Sequence, residues 1–180
     1  MGSGRMSSID LSAARQRIDP LLGQRAWNVR RGVGSFVTIE FGRPLPPDAR
    51  GNVHGEYHLW IMMAAWRLET ADRVIVGSED QDQHIEQALA RLEGRRLTEV
   101  LIRPPALETR FDFAGLGLET FPIHRRDPEE GEYDHWLLRL GDGDVLVAGS
   151  ALTTAPRLRA ARPTGRSAKP WSARIFRKLG

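Results

Sequence analysis

Cysteine is absent from this 180-residue chain. Its absence excludes a disulfide scaffold, a thiolate metal centre and a cysteine nucleophile. No apolar run approaches the roughly 20 residues that a membrane-spanning helix requires; the longest, Leu59 to Trp66, is the length of a strand. The common catalytic signatures are missing too. Gly32-Val33-Gly34-Ser35 is a fragment of a phosphate loop without the Gly-Lys-Ser/Thr ending or a following helix, and it reads as a hairpin turn. There is no Gly-x-Ser-x-Gly elbow, no His-Glu-x-x-His pair and no kinase set. The polar, helix-like start carries no signal-peptide pattern, so a cytoplasmic location is expected.

Acid is missing from one region only. From residue 155 onward there are eight basic residues and no Asp or Glu, whereas 18 basic and 23 acidic residues precede it, a net of −5. The overall charge of +3 therefore averages an acidic body and a basic tail. Three segments are expected. Residues 1–5 read as an expression scar, residues 6–154 as a single α+β domain, and residues 155–180 as a basic flexible tail rich in Arg, Ala, Pro, Gly and Ser.

What is present within the body is mostly strand signal. Residues 8–22 predict a short N-terminal helix capped by Ser8 or Asp10 and ended by Pro20 and Gly23. Residues 24–31 predict a strand. In residues 35–41 the alternation sets Phe36, Thr38 and Glu40 against Val37, Ile39 and Phe41. Residues 42–52, rich in Pro and Gly, predict a loop. The apolar run inside residues 54–69 reads as a central strand covered on both faces, with residues 73–77 as its hairpin partner. Ser78, followed by Glu79, Asp80 and Asp82, predicts a capped helix with Ile85, Ala88, Leu89 and Leu92 on its apolar face and Gly94 at its end. Strands are expected over 97–103, 109–114, 118–123, 133–140 and 144–148, the last two joined across Gly141-Asp142-Gly143. Residues 127–131 read as an acidic loop. About eight strands with one inserted helix predict an α+β fold: a mostly antiparallel sheet, curled or partly closed, with helices packed on it.

Four groups of residues invite a chemical reading. His54, Glu56 and His58 alternate, so on a strand their side chains share one face. Two imidazoles and a carboxylate are a ligand set for a divalent metal such as zinc. The competing expectation is a polar strand entry whose side chains hydrogen-bond their neighbours, and His84, His124 or His135 could join from elsewhere. Ser78-Glu79-Asp80 could offer helix-start amides to an anion, but its acids would repel one and a simple cap explains all three residues. Glu40, Glu56, Glu69, Glu79, Asp80 and Asp112 could supply a carboxylate pair for acid/base work, with nothing in the sequence bringing two together.

The tail is the fourth group. Arg157, Arg159, Arg162, Arg166, Lys169, Arg174, Arg177 and Lys178 would attract phosphates. Trp171 and Phe176 lie near helical spacing with Ile175 and Leu179, and could stack on bases or dip into an anionic membrane surface. Alternatively the tail lies against the acidic body or a partner protein, or is simply solvated.

Several runs together resemble a known kind of protein. They are Gly34-Ser35-Phe36, Glu40-Phe41-Gly42, Gly55 to Trp60, Ala65 to Glu69, Gly77 to Asp80, Leu92-Glu93-Gly94, Phe111-Asp112-Phe113, Phe121-Pro122 and His135-Trp136. The chain between about residues 34 and 149 is similar to a family of small uncharacterised bacterial proteins of immunity type, found beside secreted toxins. The resemblance implies a protein partner of the kind of a toxin or defence-system component, and implies no catalytic residue. The leading expectation is thus a non-enzymatic protein-binding module without a cofactor. One alternative is a metal-dependent hydrolase or nuclease using His54, Glu56 and His58. The other is a nucleic-acid-binding accessory acting through the tail.

Overall fold

The computed structural model describes residues 7–123 and 133–156. The expected acidic loop and the tail residues Arg157 to Lys178 lie outside the described residues. So does His124.

The chain opens with β1 (Ser7–Ser8) and enters helix α1 (Leu11–Ile18), where the Asp10 side chain accepts the Ala13 N–H at 2.8 Å. Asp10, not Ser8, is the cap. A short 3-10 turn over Asp19–Leu21 contains Pro20 and ends the helix. β2 (Trp27–Arg31) and β3 (Val37–Pro44) follow, and β3 continues through Gly42, Arg43 and Pro44, residues whose composition predicted a loop. It does so across a bulge between Phe41 and Pro44, which tolerates residues that a regular ladder would not.

The apolar run in residues 54–69 is two strands, not one. β4 (Gly55–Ile61) belongs to one sheet and β5 (Ala64–Glu69) to the other. The chain changes sheets at Met62-Met63, where Met63 takes a left-handed φ of 28°. An uninterrupted apolar sequence conceals this corner, because both strands bury alternate residues and the corner itself lies over the core. β6 (Val74–Gly77) pairs with β5 as expected.

Helix α2 (Asp82–Leu89) starts three residues later than a Ser78 cap would set it. Ser78 is not its cap. Ser78 donates its N–H to Trp66, extending the β5–β6 pairing, and Asp80 folds back to accept the Gly77 N–H at 2.7 Å. The turn consumes the capping signal. Ile85, Ala88, Leu89 and Leu92 are buried as expected.

β7 (Glu99–Arg103), β8 (Glu108–Asp112), β9 (Gly117–Pro122), β10 (Trp136–Arg139), β11 (Val145–Ala148) and β12 (Leu152–Ala155) complete the described chain. All sheet pairings are antiparallel, in the orders β1-β12-β11-β10-β4-β3-β2 and β6-β5-β9-β8-β7. The fold is α+β, with an N-terminal and an inserted helix. The strands number twelve among the described residues and form two sheets, where about eight strands in one sheet were expected.

One hydrophobic cluster joins the inner faces. Phe41 stacks on Phe113 at 6.2 Å between ring centroids, and Phe111 meets Trp136 edge-on at 5.7 Å. The Trp136 indole N–H donates to the Thr109 hydroxyl at 2.9 Å, so the largest buried side chain shared by the two sheets also has its polar atom satisfied. Each fully buried Leu, Ile or Phe here contributes about 1.5–3 kcal/mol.

Candidate functional site

The period of two along β3 and β4 sorts their side chains. Val37, Ile39, Phe41, Leu59 and Ile61 enter the core. Thr38, Glu40, Glu56, His58 and Trp60 take the opposite, outer face. The antiparallel register sets Glu40 directly across from His58.

Glu40 is only 2% exposed. Its Oε1 meets two imidazoles, His58 Nδ1 at 2.7 Å and His54 Nδ1 at 2.9 Å, while its Oε2 accepts the Gly55 N–H at 2.8 Å. The two rings are edge to face with centroids 5.2 Å apart. When both rings donate through Nδ1, both Nε2 atoms are left as acceptors. His54 Nε2 stands 3.8 Å from an Asp48 oxygen, and Asp48 is itself held by the Arg50 and Asn52 amides. Gly55 completes the frame: its carbonyl accepts from the Arg139 guanidinium, and Arg139 lies opposite His58 in register.

Burial pushes the Glu40 carboxyl toward protonation. His58, the Gly55 amide and His54 outweigh it and hold the group below the ordinary carboxylate range. Glu40 is therefore an ionised, buried carboxylate, and among the described residues no Lys or Arg side chain pairs with it.

Gly55 cannot be larger. A Cβ there would sit 2.9 Å from the Phe41 amide nitrogen and closer still to the Phe41 carbonyl oxygen. Its bare Cα lets β4 approach β3 closely enough for its N–H to reach Glu40.

The sequence grouping of His54, Glu56 and His58 is thus only partly realised. His54 and His58 meet, but the carboxylate between them is Glu40. Glu56 turns to Arg43, accepting its Nε at 2.8 Å and its amide at 3.2 Å. His84 is exposed on α2 and His135 is buried at the entry to β10, and neither joins the cluster. Alternation had already set Glu40 on the face opposite Val37, Ile39 and Phe41. The missing information was register: two strands flanking a Pro/Gly loop form a hairpin, and pairing outward residues across it would have found His58.

A second charged group occupies the outer face of the five-stranded sheet. Arg110 reaches Glu69 at 2.7 Å, Asp112 at 3.1 Å and Glu119 at 3.3 Å. Arg67 holds the other oxygen of Glu69 and lies 4.7 Å from the Phe121 ring centroid, and Arg103 holds Glu119. Three cations meet three anions. Burial raises the Asp112 carboxyl, but the Gly115 amide, Arg110 and the Thr98 hydroxyl bring it below its ordinary value. A carboxylate held ionised as Asp112 is cannot readily act as a general acid, and the ion pairs of the network link β5, β7, β8 and β9.

No helix of the described residues is long and apolar enough to cross a membrane. Comparison with protein-family models, with curated proteins and with solved structures finds no match.

Proposed function

We propose that this chain is a non-enzymatic binding module that engages a basic protein partner through the outer face of its seven-stranded sheet. The observation that carries the reading is a cross-strand row on that face with two partly exposed large apolar side chains, Trp60 and Leu137, side by side in it. Register aligns Thr38, Trp60, Leu137, Val147 and Thr153 across five neighbouring strands. Phe36 packs edge-on to Trp60 at 6.4 Å. Trp60 and Leu137 are only partly buried, though they point away from the hydrophobic cluster. A partly exposed Trp beside aliphatic side chains is a typical interface anchor.

Charge supports the partner's character. The chain before residue 155 carries five more acids than bases, which favours encounter with a basic surface. The sequence resemblance points to its class, a secreted toxin or another component of a bacterial conflict system, which the module would neutralise or regulate.

The test is capture from the native cell lysate by the full chain, with and without nuclease, followed by identification and an affinity measurement with the purified partner. One basic protein, bound at near-equal amounts, is expected. Trp60→Ala should weaken it about thirtyfold, the effect of losing about 2 kcal/mol at an anchor. Capture of nucleic acid alone, full affinity in Trp60→Ala, or turnover of a nucleotide, ester or peptide by the pure protein would overturn the reading.

A further inference from the structure

We propose that Glu40, His54 and His58 form a binding site for one divalent transition-metal ion of the zinc, cobalt or nickel kind, coordinated by Glu40 Oε1 and the two Nδ1 atoms. The inference is independent of the binding-module reading.

Three observations carry it. The first is convergence. Ligand atoms from two strands and the loop between them lie within 4.8 Å of one another, and both imidazole nitrogens aim at the same carboxylate oxygen. The second is charge. Glu40 is only 2% exposed, among the described residues no Lys or Arg side chain pairs with it, and its Oε1 faces only imidazole nitrogens, so a cation seated there would meet a carboxylate shielded from water. A divalent ion would compensate Glu40 and use both nitrogen lone pairs together. The third is the surroundings. Metal-binding side chains are usually oriented by outer partners, and these are already in place: the Gly55 N–H on Glu40 Oε2, and Asp48 beside His54 Nε2.

The spacing shows what binding requires. Ligands at about 2.0–2.1 Å from a tetrahedral zinc ion stand roughly 3.3 Å apart. The separations of 2.7 Å and 2.9 Å are hydrogen-bond lengths, so each ring must withdraw by about half an ångström as its Nδ1 proton gives way to the ion. His54 has the room, being at the strand's entry with a side chain 41% exposed. Solvent reaches the site past the same ring and can fill the remaining coordination position. Two imidazoles and one carboxylate suit borderline metals, whereas Mg²⁺ and Ca²⁺ prefer all-oxygen sites.

The test uses the full chain, freed of metal with a chelator and then dialysed. Co²⁺ is titrated in and its visible absorption followed, with Zn²⁺ binding measured by calorimetry. One ion per chain is expected, displaced by Zn²⁺ and not by Mg²⁺. His54→Ala and His58→Ala should each weaken binding at least about tenfold, with unchanged circular dichroism. Glu56→Gln should bind as the wild type does, because Glu56 belongs to Arg43. His54→Ala keeps the test sharp, since its exposed ring can be removed without opening the core. Absence of saturable one-to-one binding, or undiminished affinity in both histidine variants, would overturn the proposal.

Discussion

Gly117→Ala should destabilise this protein through the side chain of Arg110, a diagonal neighbour two positions from its register partner on the adjacent strand, and the mechanism can be isolated. Gly117 lies opposite Asp112 on β8, and the Arg110 guanidinium lies over its bare Cα. A Cβ there would fall well under 3 Å from three guanidinium atoms of Arg110. The backbone of Gly117 itself is not left-handed, so alanine is permitted by φ. The closest contacts of the new methyl are thus all with Arg110. Its guanidinium holds Glu69, Asp112 and Glu119, whose side chains are 16%, 17% and 5% exposed. Removing one partner from a fully buried pair costs about 3–5 kcal/mol. Partial exposure and the continuing contacts of Arg67 and Arg103 reduce this to about 2 kcal/mol. At about 2–4 °C per kcal/mol, the melting temperature should fall by about 4–8 °C.

The assay is urea unfolding of the wild type, Gly117→Ala, Arg110→Ala and the double variant, followed by tryptophan fluorescence. Once Arg110 is gone, the three closest contacts of the alanine methyl go with it. The substitution should then be neutral or stabilise by up to about 1 kcal/mol, because alanine lowers the entropy of the unfolded chain. The coupling energy should be about 2–3 kcal/mol. If Gly117→Ala costs as much without Arg110 as with it, the clash is with something else and the reasoning fails.

Three further outcomes are expected. Gly55→Ala should cost about 3 kcal/mol or more, since the new methyl meets backbone that cannot yield, whereas Gly51→Ala, strained at φ 83° but in open space, should cost about 1 kcal/mol; equal costs in denaturant unfolding would refute the close approach of β3 and β4. Trp136→Phe should cost about 1–3 kcal/mol by losing both indole volume and the bond to Thr109, and an unchanged unfolding midpoint would show that the two sheets do not meet there. Asp112 is held below its ordinary pKa in the folded protein, so its contribution is present above about pH 4 and is lost as pH falls through the folded value; the stability gap between wild type and Asp112→Asn should therefore narrow toward about pH 3, and a gap independent of pH would contradict the assignment.

Local signals in the sequence were reliable where local physics decides the outcome. The Gly141-Asp142-Gly143 turn does join β10 to β11, Ile85, Ala88 and Leu89 do form the buried face of α2 with Leu92 buried in the turn that follows, and alternation separated Thr38 and Glu40 from Val37, Ile39 and Phe41. The failures share one cause, namely choices made by tertiary pairing. Ser78 has the chemistry of a cap, yet a ladder bond to Trp66 claims its amide and the turn to Asp80 takes the place of the first helical residues. The corner at Met62-Met63 has no Gly or Pro to announce it, because it is imposed by two sheets sharing one core. The candidate site depends on the same kind of information. His54 and His58 were visible from their spacing, but which carboxylate joins them is a question of register, and a shift of one residue would move Glu40 to the core side of the sheet. Gly55 holds that register by its lack of a side chain, which is why the residue that determines the chemistry of the cluster has no chemistry of its own.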